Sequence, residues 1–244
     1  MTIVPVTKNL STDTMSKLSQ AKDNQYTMLY FPFHGVVPAL RAILAMSGEK
    51  YTFIHPEDWA VEKHQTPFGH MPVLYETAAT GETLELGELS VIEFYLATKF
   101  GLMGSNTWED QLIRSYTSST ESLFDKFVMS AVRTPKEFQK QMTELFVEKQ
   151  IPEWAEYHER ILRANGTNGH YIGDQLTFAD IKTGTVLGVM IALSGDNYIT
   201  KEKTPGLLAV YEMLEKHPKY AAWKASDQWK EYAETSRKVF GLQV

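Results

Sequence analysis

Apolar and polar positions divide the chain into two stretches of different rhythm. Residues 26–31, Tyr-Thr-Met-Leu-Tyr-Phe, form an apolar and aromatic run with the length of a buried strand, and Pro32 ends it. From Pro38 to Ser47 the pattern is helical, with proline in the first turn and Gly48 just past the end. A second strand is expected over 50–55, followed by a loop holding Pro56 and Trp59. Pro67 and Gly69 then break the chain, and Met71-Pro72 leads into the apolar run Val73-Leu74-Tyr75, a third strand over 73–76. Gly81 marks a turn before a fourth strand over 83–86. Residues 88–100 close the stretch as a helix, with Ile92, Tyr95 and Leu96 on one face. The order β-α-β-loop-β-β-α is that of a thioredoxin-like α/β domain.

Beyond the glycine-punctuated linker 101–107 the rhythm is helical throughout. One helix is expected over 108–132. Another opens at Pro135 and reaches Asn165, with Ile151-Pro152 as its point of interruption. Thr177 with Asp180 has capping-box form. Gly184, Gly188 and Ala192, four apart among apolar residues, predict a close-packed central helix. Pro205 and Pro218 open two further helices, ending near Thr235. Residues 1–25 are polar and read as a mobile or loosely docked extension, with a short helix over 11–21 as the alternative. The expected layout is an extension over 1–25, a thioredoxin-like domain over 26–100, the linker, and an all-helical domain over 108–244.

Composition narrows the chemistry. There are no cysteines, so a disulfide, a thiolate metal site and a protein thiol nucleophile are all excluded. The net charge of −6, without a basic run, argues against a nucleic-acid surface. The longest apolar window, 186–193, is too short for a bilayer span, and 1–25 lacks the apolar core of a signal peptide. A cytoplasmic protein is the expectation.

A proline at the mouth of a strand donates no ladder hydrogen bond, and a cis Met71-Pro72 bond is one physical reason for its presence. The surrounding segment, Pro67-Phe68-Gly69-His70-Met71-Pro72-Val73-Leu74, resembles a signature of the glutathione transferase superfamily. Tyr30-Phe31, Trp59 with Lys63, Glu88 at a helix start and Gly173-Asp174…Leu176-Thr177…Ala179-Asp180 fall in the matching order. The resemblance covers about 26–240 and is nearest to the sigma-like, tyrosine-type branch.

That resemblance implies glutathione as cosubstrate, no metal, a homodimer, and conjugation of the thiolate to a hydrophobic electrophile. Tyr30 is the implied sulfur activator and Tyr26 a packing tyrosine. A hydroxyl donating to the sulfur favours thiolate over a thiol of pKa about 8.5. Trp59 and Lys63 are implied at the glycine carboxylate, Met71 with Pro72 at the peptide backbone, and His70 beside them. Glu88 is implied at the γ-glutamyl ammonium. The branch has a serine or threonine next, where this chain has Leu89 and only then Ser90. Either Ser90 substitutes, or helix N-terminal amides alone hold the carboxylate. The branch arginine beside the sulfur is replaced by Val36, with His34 and Arg41 nearby in sequence; Arg41 resembles a helix arginine with a packing or ion-pair role. Phe33, Val36, Tyr116 and Phe124 are candidates for the electrophile pocket, and Glu121 for an acidic residue lent by a partner subunit.

A metal site built from His55, His64 and His70 with Glu57, Asp58 and Glu62 fits no helical ligand spacing. There is no nucleophile elbow. The Val36 and Leu89 departures leave a second reading open: a catalytically weak carrier of hydrophobic ligands on the same scaffold.

Overall fold

The structure, a computed structural model, describes residues 10–240. The chain forms two compact units. One runs to Phe100 and takes in Ser226–Thr235; the other comprises Gly101–Ala225 and the chain from Ser236.

The first unit is thioredoxin-like. Strands β1 (Gln25–Leu29), β2 (Lys50–Ile54), β3 (Val73–Thr77) and β4 (Thr83–Gly87) form one sheet in the order β2-β1-β3-β4. β1 runs parallel to β2 and antiparallel to β3, and β4 is antiparallel to β3. A parallel pair needs a crossover. Helix α2 (Pro38–Ser47) supplies it, opened by Pro38 and stopped by Gly48 at φ 85°. Its apolar face, with Leu40, Ile43 and Leu44 inaccessible to solvent, packs with α4 (Leu89–Lys99). The short α3 (Trp59–Glu62) and a 3-10 turn (Lys63–Gln65) lead into β3.

The polar N-terminal stretch does not behave as a loose extension where it is described. Thr12–Gln20 forms helix α1, capped by the Ser11 hydroxyl, and buries Leu18. Asn24 is buried and donates to the Leu18 carbonyl and to Glu76. Residues 1–9 lie outside the described part. Glu76 explains why a polar segment docks: this buried carboxylate accepts from Asn24 (2.5 Å), the Tyr95 hydroxyl (2.6 Å), the Tyr26 hydroxyl (3.4 Å) and the Lys99 ammonium. Lys99 in turn donates to the Ser19 carbonyl at the end of α1.

The second unit is helical. It contains α5 (Thr107–Phe127), a π turn (Val128–Arg133), α6 (Lys136–Leu145) and a second π turn (Phe146–Gln150). These are followed by α7 (Ile151–Ala164), α8 (Phe178–Ser194), α9 (Pro205–Lys216) and α10 (Pro218–Ala225). The break before α7 falls at Ile151-Pro152, where the sequence predicts an interruption. α8 is the central helix and opens on the Thr177–Asp180 capping box. A side chain at Gly184 would come within 2.6 Å of Leu214, so glycine there permits close packing of α8 on α9. The expected small-residue stripe stops short of Ala192, which is exposed. The stretch Phe178–Asn197 is long and apolar enough to cross a membrane, but 67% of that window is buried within the unit, the pattern of a core helix.

The end of the chain differs from expectation. The helix opened by Pro218 stops at Ala225, and a separate helix α11 (Asp227–Phe240) begins. The Ser226 hydroxyl accepts from the Trp229 amide, a capping bond that starts the new helix. Its residues Ser226–Thr235 group with the thioredoxin-like unit.

Candidate functional site

Tyr30 follows β1 directly, and its amide donates to the Ile54 carbonyl, continuing the pairing with β2. Its side chain is buried, with the ring edge-on to Phe31 and Phe33. The hydroxyl accepts a hydrogen bond from the Val36 amide at 3.3 Å. Gly35, at φ 50°, makes this closure possible, since a Cβ there would lie 2.5 Å from the Tyr30 hydroxyl. Burial raises the hydroxyl above its ordinary value, while the Val36 amide and the Arg41 charge each act to lower it. At neutral pH Tyr30 is therefore a protonated donor.

Arg41 on α2 is fully buried and makes no ion pair with a described carboxylate, so the ion-pair alternative for it is not realised. Its guanidinium donates to the Phe33 carbonyl (2.7 Å) and the Phe31 carbonyl (3.0 Å). It lies over the rings of Tyr232 (4.0 Å), Phe53 (5.3 Å) and Tyr30 (5.7 Å). Burial lowers its pKa to about 10, which leaves it a cation at neutral pH. His55, just past β2, sits 2.7 Å from the Tyr30 carbonyl through Nδ1 and 3.1 Å from the Tyr232 hydroxyl through Nε2. His34, half-buried in the loop after Tyr30, is packed beside α11, with its ring 5.1 Å from Trp229 and 6.1 Å from Tyr232.

Trp59 meets this loop, and the other candidates lie between it and Ser90. Phe31 stacks on Phe33 and meets Trp59 edge-on at 6.1 Å. Lys63 follows one turn later, and its amide caps the Trp59 carbonyl. The Met71-Pro72 bond is cis. Met71 packs against Leu29, Val73 and Tyr75 but lies outside the β1–β3 ladder, whose nearest pair is Leu29 with Val73. Phe68 and Pro67 lie over Gly87, where a side chain would come within 3.0 Å of the Phe68 ring. Immediately after it, Glu88 holds φ 69° and ψ 119°, a strained conformation for a non-glycine residue. Glu88 opens α4 without a side-chain cap, so the first-turn amides, with Leu89 and Ser90 at the first two helical positions, have no side-chain acceptor at Glu88. His70 is exposed, 4.0 Å from the Glu88 carboxylate.

Within the thioredoxin-like unit the structure thus gathers Tyr30, Phe33, Val36 and Trp59 around one loop, with Met71-Pro72 beside the end of β1 and His70 by Glu88. Tyr116, Phe124 and Glu121 lie on α5 in the helical unit. There Tyr116 stacks on Tyr171 at 5.0 Å and Phe124 meets Phe127 at 5.6 Å. The same unit holds a buried histidine, His158, between the Tyr171 hydroxyl (2.5 Å) and the Ser119 hydroxyl (2.9 Å). Burial lowers its pKa to about 4, so it is a neutral, hydrogen-bonded core group. Among the described residues no group of three or more His, Asp or Glu is placed to hold a metal ion. His55, counted above in a possible metal set, is bonded to the Tyr30 carbonyl and to Tyr232 instead.

His55 and Tyr232 escape the sequence reading because their partners are 25 and 177 residues away. One local signal exists. Trp229 and Tyr232 are large aromatics three apart on a helix otherwise rich in charge, which marks a packed stripe.

Residues 121–227 match the family model for the glutathione S-transferase C-terminal domain. The chain is 28% identical over 162 residues to a probable glutathione S-transferase 6 of Caenorhabditis elegans, covering 64% of this chain and 75% of that one. It is 23% identical over 195 residues to a class-mu 28 kDa glutathione S-transferase of Schistosoma japonicum, covering 79% and 89%. Among solved structures, a sigma class glutathione transferase of Fasciola hepatica superposes with a TM-score of 0.71 at 22% identity, over 85% of this chain and all of the other. The helical unit thus matches the glutathione S-transferase C-terminal domain family, and the chain resembles glutathione S-transferases in sequence and shares the fold of their solved structures.

Proposed function

We propose that the chain is a tyrosine-type glutathione transferase that conjugates the glutathione thiolate to hydrophobic electrophiles. The observation carrying this reading is the Tyr30 hydroxyl. Its oxygen accepts the Val36 amide, and among the described residues it donates to none. A bound sulfur is the acceptor this arrangement suits, and donation to it favours the anion. Met71 offers main-chain pairing beside β3, in the manner of an added strand. The uncapped first turn of α4 suits the γ-glutamyl carboxylate, and the exposed Glu88 carboxylate suits the ammonium next to it. Trp59 and Lys63 supply an indole N–H and an ammonium for the glycine carboxylate. Phe33 and Val36 give the electrophile an apolar wall by the sulfur. The assembly is a cytoplasmic homodimer in this reading, which sedimentation of the full chain tests.

A second reading, a weakly active carrier, rests on Val36 and Leu89: neither places a polar side chain where the sigma-like pattern has one. Calorimetric titration with glutathione, run beside conjugation of a general aryl halide by the unaltered protein and Tyr30→Phe, separates the two. Binding with activity that collapses in the variant is the expected result. Binding without activity in either protein selects the carrier, and no binding removes the glutathione site.

A further inference from the structure

We infer that Tyr232, on the C-terminal helix, is a positioning residue for Tyr30 and acts on it through His55 and Arg41. The inference rests on the proposed role of Tyr30 and adds to it a part of the chain remote in sequence.

The Tyr30 hydroxyl is set by the loop that follows it, because the Val36 amide closes back onto that hydroxyl. Three carbonyls of this loop are held by side chains. His55 holds that of Tyr30, and Arg41 holds those of Phe31 and Phe33. Both holders meet at Tyr232, which is 1% exposed. A carbonyl can only accept, so His55 must donate from Nδ1. With a neutral ring, Nε2 then accepts from the Tyr232 hydroxyl. The same tyrosine lays its ring 4.0 Å from the Arg41 guanidinium. Tyr232 therefore acts twice: the hydroxyl fixes the tautomer and orientation of His55, and the face holds the cation. The other titratable groups around it are His34, whose ring is 6.1 Å away, and Glu231 on its own helix.

The Val36-to-Tyr30 bond is where small changes register. At 3.3 Å it is already long for an N–H···O bond, and a slight shift of the loop breaks it. Without it, Tyr30 turns more freely and stabilises a thiolate less. Arg41 also bears on the thiolate directly, as a buried cation not neutralised by a carboxylate of the described residues, beneath the ring of Tyr30.

The test reads the ionisation of bound glutathione from its thiolate ultraviolet absorbance against pH, in the full chain and in three variants. Tyr232→Phe keeps the ring over Arg41 and removes the bond to His55. Tyr232→Leu removes both contacts, and His55→Ala removes the same bond together with the hold on the Tyr30 carbonyl. The apparent pKa of the bound thiol is expected to rise by about half a unit in Tyr232→Phe and about one unit in Tyr232→Leu. kcat/KM near pH 6.5 then falls about threefold and about tenfold. Tyr232→Phe combined with His55→Ala is expected to shift no further than His55→Ala alone, since the hydroxyl acts through His55. Glutathione affinity should change less than about twofold, which a general loss of the fold would not spare. Variants that fold and leave the thiol ionisation unchanged overturn the inference, as do additive shifts in the double variant. If the leucine variant does not fold, Tyr232→Phe and His55→Ala decide alone. A thiolate band in the unaltered protein with no response in the variants removes this inference and spares the proposed function. No band in the unaltered protein removes both.

Discussion

Tyr26 and Tyr30 stand four residues apart along one strand and its continuation. Both are buried, and both place a hydroxyl near a charge. Their surroundings are opposite. Tyr26 lies directly across the ladder from Glu76 and donates to that carboxylate, with its ring edge-on to Phe100. Burial, the charge of Glu76 and the hydrogen bond all raise its pKa. Tyr30 also has its pKa raised by burial, but the Val36 amide and Arg41 oppose the shift. One hydroxyl donates its proton in a hydrogen bond to a structural carboxylate; the other sits beside a cation and a backbone donor and donates to no described group. Electrostatics, not residue type or depth, separates the packing tyrosine from the one suited to an anionic sulfur.

The strongest way to stress this contrast is at Glu76. Glu76→Ala leaves the Lys99 ammonium, whose side chain is 12% exposed, without its carboxylate, and strips the acceptor from Asn24, Tyr26 and Tyr95. Breaking such a buried pair by removing one partner costs about 3–5 kcal/mol, and urea denaturation should show a loss of that size. Tyr30→Phe is expected to do the converse. Its kcat/KM for aryl-halide conjugation should fall about 100-fold, equivalent to about 2.7 kcal/mol, with a near-unchanged urea midpoint. Tyr26→Phe removes one of four donors from Glu76. It should lose about 1 kcal/mol of stability and keep conjugation within about twofold of the unaltered protein. If Tyr26→Phe also abolished conjugation, the division of labour between the two tyrosines would be wrong.

Much of this arrangement is legible in the sequence where the determinants are local. Pro38 and Gly48 bracket α2, Thr177 and Asp180 cap α8, and the run after Met71-Pro72 is β3, because each signal is read within one turn or one strand. The docking of Thr12–Gln20 is not legible that way. The segment is polar, and what holds it is a carboxylate about fifty residues on and a lysine about eighty residues on. The same limit applies to Arg41. Its position on α2 shows a cation on a buried face, but its partners are backbone carbonyls and aromatic rings, which leave no charge pattern to read. The separate start of α11 turns on one serine hydroxyl, too weak a signal to override the continuous helical pattern from Pro218.

The smallest effect is also the one that tests the electrostatic argument without reference to activity. Tyr26 and Tyr95 have folded-state pKa values raised above the ordinary 10, first by burial and then by Glu76. A group raised in this way contributes stability that is fully present below its unfolded value and is lost as pH climbs toward the folded one. The urea midpoint should therefore decline above about pH 10, where unfolded tyrosines ionise and these two cannot. Tyr26→Phe and Tyr95→Phe should each flatten that decline. Tyr30→Phe should flatten it less, because Val36 and Arg41 already work against the shift at Tyr30. Equal flattening by all three would mean that burial alone governs these hydroxyls and that the opposed charges at the two ends of β1 make no difference.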